Sequence, residues 1–153
     1  FGGGLPLGAC ISSQSIMSVL SHDPILGHLS TFGGHPLSCA AAIATLEVIS
    51  DQGFLSHVAV IGQLLKKEIG QHARVREVSG RGLMLAVELN EPDLLQPAIK
   101  ACRETGLLLD WFLFNDQRIR LYPPLILTKD EALLLCDKFK EGLDRLDAHL
   151  RQG

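Results

Sequence analysis

The sequence lacks the features that mark several classes of protein. It contains no apolar run of membrane-spanning length and no N-terminal segment with the basic start and apolar middle of a signal peptide. It has no basic cluster with interleaved aromatic residues, and its formal net charge is −3. Since nucleic acids carry dense negative charge, this composition argues against a nucleic-acid partner. We therefore expect a cytoplasmic protein that binds neither nucleic acid nor membrane.

Metal-binding and disulfide patterns are also absent. The four cysteines are far apart and have apolar neighbours: Cys10, Cys39, Cys102 and Cys136. Because none forms a Cys-x-x-Cys pair and a chain of this size can bury a full core, we expect reduced, buried thiols. His22, His28 and His35, with Asp23, match no zinc spacing, so we expect no metal site.

The sequence does contain the material for a folded domain. Of its 153 residues, 46% are hydrophobic and 20% are charged, which is typical of globular proteins. Hydrophobic periodicity predicts helices over residues 12–20, 36–50, 54–69, 93–105 and 128–150. It predicts strands over residues 75–79, 83–89, 107–114 and 118–122, with turns at residues 80–82 and 115–116.

The two halves of the chain differ in organisation. The second half alternates pairs of strands with single helices, which predicts a compact α+β unit with a small antiparallel sheet. The first half is a glycine-rich segment, a short helix and an open loop, which resemble one edge of a larger domain. We assign residues 1–50 to the remnant of a large domain with its connecting helix, and residues 51–153 to a small α+β domain. Because the chain begins with Phe1 and three glycines rather than methionine, we expect it to be cut from a longer protein.

The loop that leads into the helix at Pro36 is the first candidate site. Proline suits the first turn of a helix, whose free N–H groups and partial positive charge attract anions. The hydroxyls of Ser30 and Thr31 lie just before this turn and favour a phosphate or carboxylate ligand. The alternative is a loop-to-helix junction with no ligand.

Arg120 is the second candidate. It lies in an alternating strand, on the face opposite Ile119 and Leu121, where its guanidinium could bind a carboxylate through two parallel hydrogen bonds. The alternative is a surface ion pair. We interpret Arg81, in a Gly-x-Gly turn, as a structural charge tied to a neighbouring acid. The six lysines fall on polar helix faces or helix ends, so none is a candidate for Schiff-base chemistry.

Four segments together resemble the C-terminal half of a class III, pyridoxal-phosphate-dependent aminotransferase, of the acetylornithine, ornithine and 4-aminobutyrate type. They are FGGGLPLGA at residues 1–9, STFGGHPLSCAA at 30–41, SGRGLMLAVE at 79–88 and IRLYPPL at 119–125. Their order and spacing match the family over essentially the whole chain. Position 35 is usually asparagine in this family, so His35 is a departure.

The resemblance implies an α/β, fold-type-I enzyme that uses pyridoxal 5′-phosphate (PLP), acts on small amino and oxo acids, and forms a homodimer with active sites at the subunit interface. It implies that Ser30 and Thr31 bind the cofactor phosphate of the other subunit, and that Arg120 binds the α-carboxylate of the substrate. The Schiff-base lysine of the family precedes the triple glycine, so it is expected one or two residues upstream of Phe1. This chain would then contain no catalytic residue, and we expect it to be inactive and to bind PLP weakly by itself.

The function implied is transfer of an amino group from an amine or ω-amino acid to an oxo acid, with 2-oxoglutarate as the expected acceptor. Two alternatives stay open. One is an aminomutase, racemase or decarboxylase on the same fold. The other is a non-catalytic α+β module that serves binding or dimerisation.

Overall fold

A computed structural model of the chain describes residues 1–25 and 29–152, without the side chains of residues 149, 151 and 152. His28 and the two residues before it lie outside the described residues. The chain forms two compact units, Phe1–Phe54 and Leu55–Gly153. Within the described residues, no helix combines the length and the apolar character needed to cross a membrane.

The first unit contains two helices. Helix α1 (Gln14–Met17) begins after Ser13, whose hydroxyl caps it by accepting a hydrogen bond from the Ile16 N–H at 3.4 Å. The predicted helix continues only as a 3-10 turn over Ser18–Ser21. Helix α2 (Pro36–Ile49) starts at the predicted proline. The glycine-rich N-terminus packs against α2, since a Cβ at Gly3 would lie only 2.5 Å from the Thr45 hydroxyl.

Helix α2 is far more exposed than its composition predicts. Because residues 40–44 are apolar on every side, we expect a helix that is buried all round or packed closely by small residues. In this chain only Ser38 and Ala42 of α2 are buried, and Ile43 is 60% exposed. The prediction of burial all round is therefore wrong for this chain.

The second unit is the predicted α+β structure. It comprises helix α3 (Gln52–Gly70), whose first three residues belong to the first unit, strand β1 (Val75–Arg81), strand β2 (Met84–Leu89), helix α4 (Leu95–Glu104), strand β3 (Asp110–Phe112), strand β4 (Asn115–Leu121) and helix α5 (Lys129–Gln152). The four strands form one antiparallel sheet in the order β1-β2-β4-β3. Leu85, Val87 and Leu89 are buried on one face, which confirms the predicted alternation. Buried residues of α3, α4 and α5 join them in one core.

Two turns lie elsewhere than predicted. Gly80 and Arg81 continue β1, and the turn falls at residues 82–83, where Gly82 has a positive φ of 55°. The second turn falls at residues 113–114 rather than 115–116, because pairing of β4 with β3, in which Asn115 lies opposite Phe112, extends β4 back to Asn115. The predicted strand over residues 107–114 shrinks to β3.

Helix α4 ends as predicted at Gly106, whose φ is 85°. The N–H of Leu107 donates to the Cys102 carbonyl at 3.1 Å, and the N–H of Gly106 donates to the Arg103 carbonyl at 3.0 Å. This pair of bonds is the Schellman closure of a helix. Lys138 of α5 donates to the Thr105 carbonyl at 2.6 Å, which ties the end of α4 to α5.

We predict that Gly142→Ala destabilises the second unit. Helix α5 approaches α4 so closely that a Cβ at Gly142 would lie 2.6 Å from the Cys102 Sγ and 2.7 Å from the Cys102 Cα. The helices must move apart, so we expect the free energy of unfolding to fall by about 1–3 kcal/mol in urea denaturation. Gly70→Ala is the matched control, because its Cβ would meet nothing closer than Val78 Cγ2 at 3.9 Å. Equal stability of the two variants would contradict the close packing.

The burial of the four cysteines agrees only in part with the predicted buried thiols. All four are free, but Cys10 is exposed and Cys39 is partly exposed, so the prediction of buried thiols holds only for Cys102 and Cys136. Cys10 follows the glycine-rich segment, where no core covers it. Burial raises the pKa of Cys102 to about 12 and that of Cys136 to about 11.

We predict that these thiols react at different rates. With iodoacetamide near neutral pH, Cys10 should be alkylated in the folded chain, whereas Cys102 and Cys136 should react only in denaturant, because the thiolate is the nucleophile. Peptide mass spectrometry before and after urea treatment measures this. Alkylation of Cys102 in the folded chain at the rate of Cys10 would show that the α4/α5 interface opens.

The start of α5 carries a capping box. The Glu131 N–H donates to the Thr128 hydroxyl at 3.3 Å, and a Glu131 carboxylate oxygen accepts from the Thr128 N–H at 2.8 Å. The bond from the Thr128 N–H, with that from its hydroxyl, lowers the pKa of Glu131 below its ordinary value of 4.5.

We predict that the contribution of Glu131 to folding stability is lost at acidic pH. A lowered folded-state pKa means that ionised Glu131 stabilises the fold above pH 4.5 and loses this contribution as the pH falls through the folded value. The stability advantage of the unmodified chain over Glu131→Gln should therefore be present at about pH 7 and vanish at about pH 3 in urea denaturation. An advantage of equal size at both pH values would contradict the role of the charge.

Candidate functional site

The loop before α2 places the two predicted phosphate ligands side by side. The Gly33 N–H donates to the Ser30 carbonyl at 3.2 Å, and the His35 N–H donates to the Phe32 carbonyl at 3.2 Å. These bonds fold the loop tightly ahead of Pro36. His35 occupies the cap position without a side-chain capping bond, and its ring lies 6.0 Å from that of Phe32. The first-turn N–H groups of α2 are therefore not capped by the His35 side chain.

The chemistry of this loop fits a phosphate group. Ser30 and Thr31 are exposed, and neither hydroxyl has a hydrogen-bonding partner among the described residues. A Cβ at Gly33 would lie 2.9 Å from the Ser30 Oγ, so glycine keeps that hydroxyl accessible. Two free hydroxyls beside an uncapped helix start can donate to phosphate oxygens.

Arg120 lies in the second unit, on the sheet face opposite the core. Its neighbours in β4, Ile119 and Leu121, are buried, whereas the Arg120 side chain is 40% exposed. This arrangement confirms the predicted alternation of the strand. In the sheet, Arg120 pairs with Ala86 of β2 on one side and Asp110 of β3 on the other.

The Arg120 guanidinium has two partners within the chain. Its Nη2 forms an ion pair with the Asp110 carboxylate, and its Cζ lies 4.6 Å from the centre of the Tyr122 ring. A hydrogen bond from the Trp111 N–H, followed by that from Arg120, lowers the pKa of Asp110 below its ordinary value. The hydrogen bond to Asp110 raises the pKa of Arg120 further. The ion pair weighed as the alternative is thus present, and since Nε is buried, the N–H groups of Nη1 are the main donors left for a ligand.

Arg118, two residues earlier on the same face, is much more fully occupied. It forms an ion pair with Glu88 at 2.6 Å and donates to the Ser79 hydroxyl at 3.1 Å. Glu77 accepts from it at 3.5 Å. These partners on β1 and β2 make Arg118 part of the sheet, so Arg120 is the better candidate for a ligand-binding group.

Other charged residues differ partly from prediction. Among the described residues Arg81 has no ion-pair partner, so the expected tie to a neighbouring acid is wrong. Lys66, expected in solvent, donates to the Gly80 carbonyl at 2.6 Å. Lys140 pairs with Glu68 at 3.1 Å. Within the described residues, no group of three or more His, Cys, Asp or Glu side chains could hold a metal ion.

Two residues beside Arg120 were not predicted from the sequence. Tyr122 could have been found, because strand periodicity puts residues two apart on one face. Asp110 could not, since it becomes a neighbour only when β3 pairs with β4 in the observed register.

The fold and these residues agree with a known class of protein. The family model of class-III aminotransferases matches residues 1–143, and the chain belongs to this family. The resemblance stated from the four segments is therefore confirmed. The fold is the corresponding part of a fold-type-I PLP aminotransferase.

Particular relatives make the comparison more specific. The chain is 38% identical over 141 residues to ornithine aminotransferase 2 of Staphylococcus aureus, covering 91% of this chain and 34% of that protein. It is 42% identical over 130 residues to acetylornithine aminotransferase of Corynebacterium efficiens, covering 85% of this chain and 31% of that protein. The chain thus spans about a third of the length of the curated relatives it matches.

Solved structures show the same partial match. The crystal structure of the omega transaminase from Pseudomonas jessenii in complex with PMP matches with a TM-score of 0.74 and 26% identity, over 92% of this chain and 33% of that one. Acetylornithine aminotransferase from Elizabethkingia anophelis matches with a TM-score of 0.70 and 31% identity, over 88% of this chain and 36% of that one.

Proposed function

We propose that this chain is the C-terminal part of a PLP-dependent aminotransferase that moves an amino group from an amine or ω-amino acid to an oxo acid, with 2-oxoglutarate as acceptor. Residues 1–50 are the end of its large domain with the connecting helix, and residues 51–153 are its small domain. Family membership and a solved relative in complex with PMP support PLP as the cofactor. The observation that carries the proposal is Arg120, a partly exposed arginine held on a strand, in which Asp110 engages Nη2.

The residues present have distinct tasks in this proposal. Ser30 and Thr31 donate to the cofactor phosphate of the partner subunit in a cytoplasmic homodimer. Arg120 binds and orients the α-carboxylate of the amino or oxo acid through paired, charge-assisted hydrogen bonds. When bound, PLP carries the amino group between the two substrates. The Schiff-base lysine lies outside this chain, so the chain alone is inactive.

An assay of the full-length protein tests the proposal. Purified with PLP, it is expected to form glutamate from 2-oxoglutarate with at least one of ornithine, N-acetylornithine, putrescine and 4-aminobutyrate. Racemisation, isomerisation or carbon dioxide release without use of 2-oxoglutarate would point instead to another reaction on the same fold. Failure of all these reactions would favour a non-catalytic module.

The chain by itself provides a second test. Mixed with PLP, the 153-residue chain is expected to show no absorption band of a protein-bound cofactor, because the Schiff-base lysine is missing. Free PLP and the full-length protein are the two reference spectra. A clear protein-bound band would overturn the proposed place of the lysine.

A further inference from the structure

The guanidinium of Arg120 is held by contacts with two neighbouring side chains. Asp110 of β3 lies directly across the sheet from Arg120 of β4, and its carboxylate forms an ion pair with Nη2. The centre of the Tyr122 ring lies 4.6 Å from the Arg120 Cζ, on one face of the guanidinium. Nε is buried and cannot be reached by a ligand. A ligand therefore approaches Arg120 from the end that carries the two Nη groups.

Asp110 is itself fixed in place. The Trp111 N–H donates to one oxygen of its carboxylate at 2.7 Å, and the other oxygen binds Nη2 of Arg120. These hydrogen bonds, that from the Trp111 N–H first, lower the pKa of Asp110, so its carboxylate is charged at neutral pH. Asp110 thus provides a fixed, charged anchor for the Arg120 side chain.

This anchor has two opposite effects on a carboxylate ligand. An arginine side chain has many rotamers, and holding it in one of them before binding is worth up to about tenfold in affinity. The charge of Asp110 repels a second carboxylate. Because both side chains are 40% exposed, solvent screens this repulsion, which we expect to cost only about twofold. The gain from ordering exceeds the cost of the added charge.

We propose that Asp110 is a positioning residue, which holds Arg120 with its Nη groups facing the substrate carboxylate and thereby favours reaction with substrates that carry one. The inference rests on the proposed function for the carboxylate-binding role of Arg120. Asp110 lies outside the four segments that carry the family resemblance, and it acts through Arg120 rather than by touching the substrate.

The first test uses variants of the full-length protein with PLP. Asp110→Ala removes the anchor and should lower kcat/KM for 2-oxoglutarate by about fivefold, mainly through a higher KM. The half-reaction of putrescine, which carries no carboxylate, should change by less than about twofold in single-turnover spectroscopy. Asp110→Asn keeps an acceptor oxygen and loses the charge, so its kcat/KM should stay within about twofold of the unmodified protein.

Two further variants show whether Asp110 acts through Arg120. In a protein that already carries Arg120→Gln, Asp110→Ala should cause no additional loss of kcat/KM, because the side chain that it positions is gone. Glu77→Ala is the matched control. It removes another carboxylate, which lies 3.5 Å from Arg118, and should leave kcat/KM unchanged.

The second test needs no activity and uses the 153-residue chain. Rotation about the Cζ–Nε bond exchanges Nη1 with Nη2, and an ion pair at Nη2 slows this rotation. We expect separate Nη signals for Arg120 in NMR spectra of the unmodified chain and one averaged signal in Asp110→Ala. Arg118, paired with Glu88 at 2.6 Å, is the reference for a held guanidinium. Arg81, which has no ion-pair partner among the described residues, is the reference for rapid rotation.

Several results would overturn the inference. An averaged Arg120 signal in the unmodified chain would show that Asp110 does not hold the guanidinium. A rise in kcat/KM in both Asp110 variants would show that Asp110 competes with the substrate instead of positioning Arg120. An equal loss with putrescine would indicate a general disturbance of β3.

Failure of the proposed function would be seen separately. If the unmodified full-length protein forms no glutamate, Arg120 has no substrate carboxylate to bind, and the positioning role is rejected together with the proposed function. If glutamate forms normally and Asp110→Ala leaves kcat/KM unchanged, the role of Asp110 alone is rejected.

Discussion

Phe139→Ala is expected to lower the free energy of unfolding of the second unit by about 3–5 kcal/mol. Phe139 lies on α5 with 0% of its surface exposed and belongs to the core shared by the sheet and helices α3, α4 and α5. Truncation removes the buried ring and leaves a cavity, and both effects destabilise the fold. Because domains of this size are stable by only about 5–15 kcal/mol, the variant should be close to unfolding at physiological temperature.

Urea denaturation followed by circular dichroism measures this loss. Leu134→Ala is the matched control, since Leu134 lies one and a half turns earlier on α5 with 55% of its surface exposed. It should change stability by no more than about 0.5 kcal/mol. Similar destabilisation by both substitutions would mean that α5 presents a different face to the core.

Arg120→Gln is expected to lower kcat/KM of the full-length protein for its oxo acid acceptor by about 100-fold, or about 2.7 kcal/mol. Glutamine cannot supply the charge or the planar pair of donors that a carboxylate needs. The loss should fall mainly on substrates that bear an α-carboxylate. Putrescine, which has none, should lose less in its own half-reaction, as measured by single-turnover spectroscopy of the PLP-loaded protein.

Arg118→Gln provides the control for Arg120. Arg118 is tied to Glu77, Ser79 and Glu88 within the sheet, so its removal should affect stability and leave kcat/KM close to that of the unmodified protein. Equal losses of kcat/KM in the two variants would indicate a general effect of disturbing β4. A loss of the same size in the half-reaction of putrescine would show that Arg120 does not act by binding the substrate carboxylate.

Much of the second unit could be predicted from the sequence because its signals are local. The alternation around Leu85 and Val87 depends only on strand geometry, and the cap at Thr128 depends on residues three apart. The first unit was predicted less well. The apolar composition of α2 predicts a buried helix, yet most of α2 is exposed in this chain. Burial depends on which other residues pack against the helix, and the composition of the helix itself does not give this.

The features of the candidate site likewise fall into those that the sequence predicts and those that depend on the fold. The sequence by itself was enough to select Ser30, Thr31 and Arg120, because a loop motif and strand periodicity are properties of neighbouring residues. Only the tertiary structure decided that Asp110 shares Arg120, that Nε is left without an acceptor, and that Gly142 meets Cys102. These facts depend on strand register and helix approach, which are set by packing between segments distant in sequence.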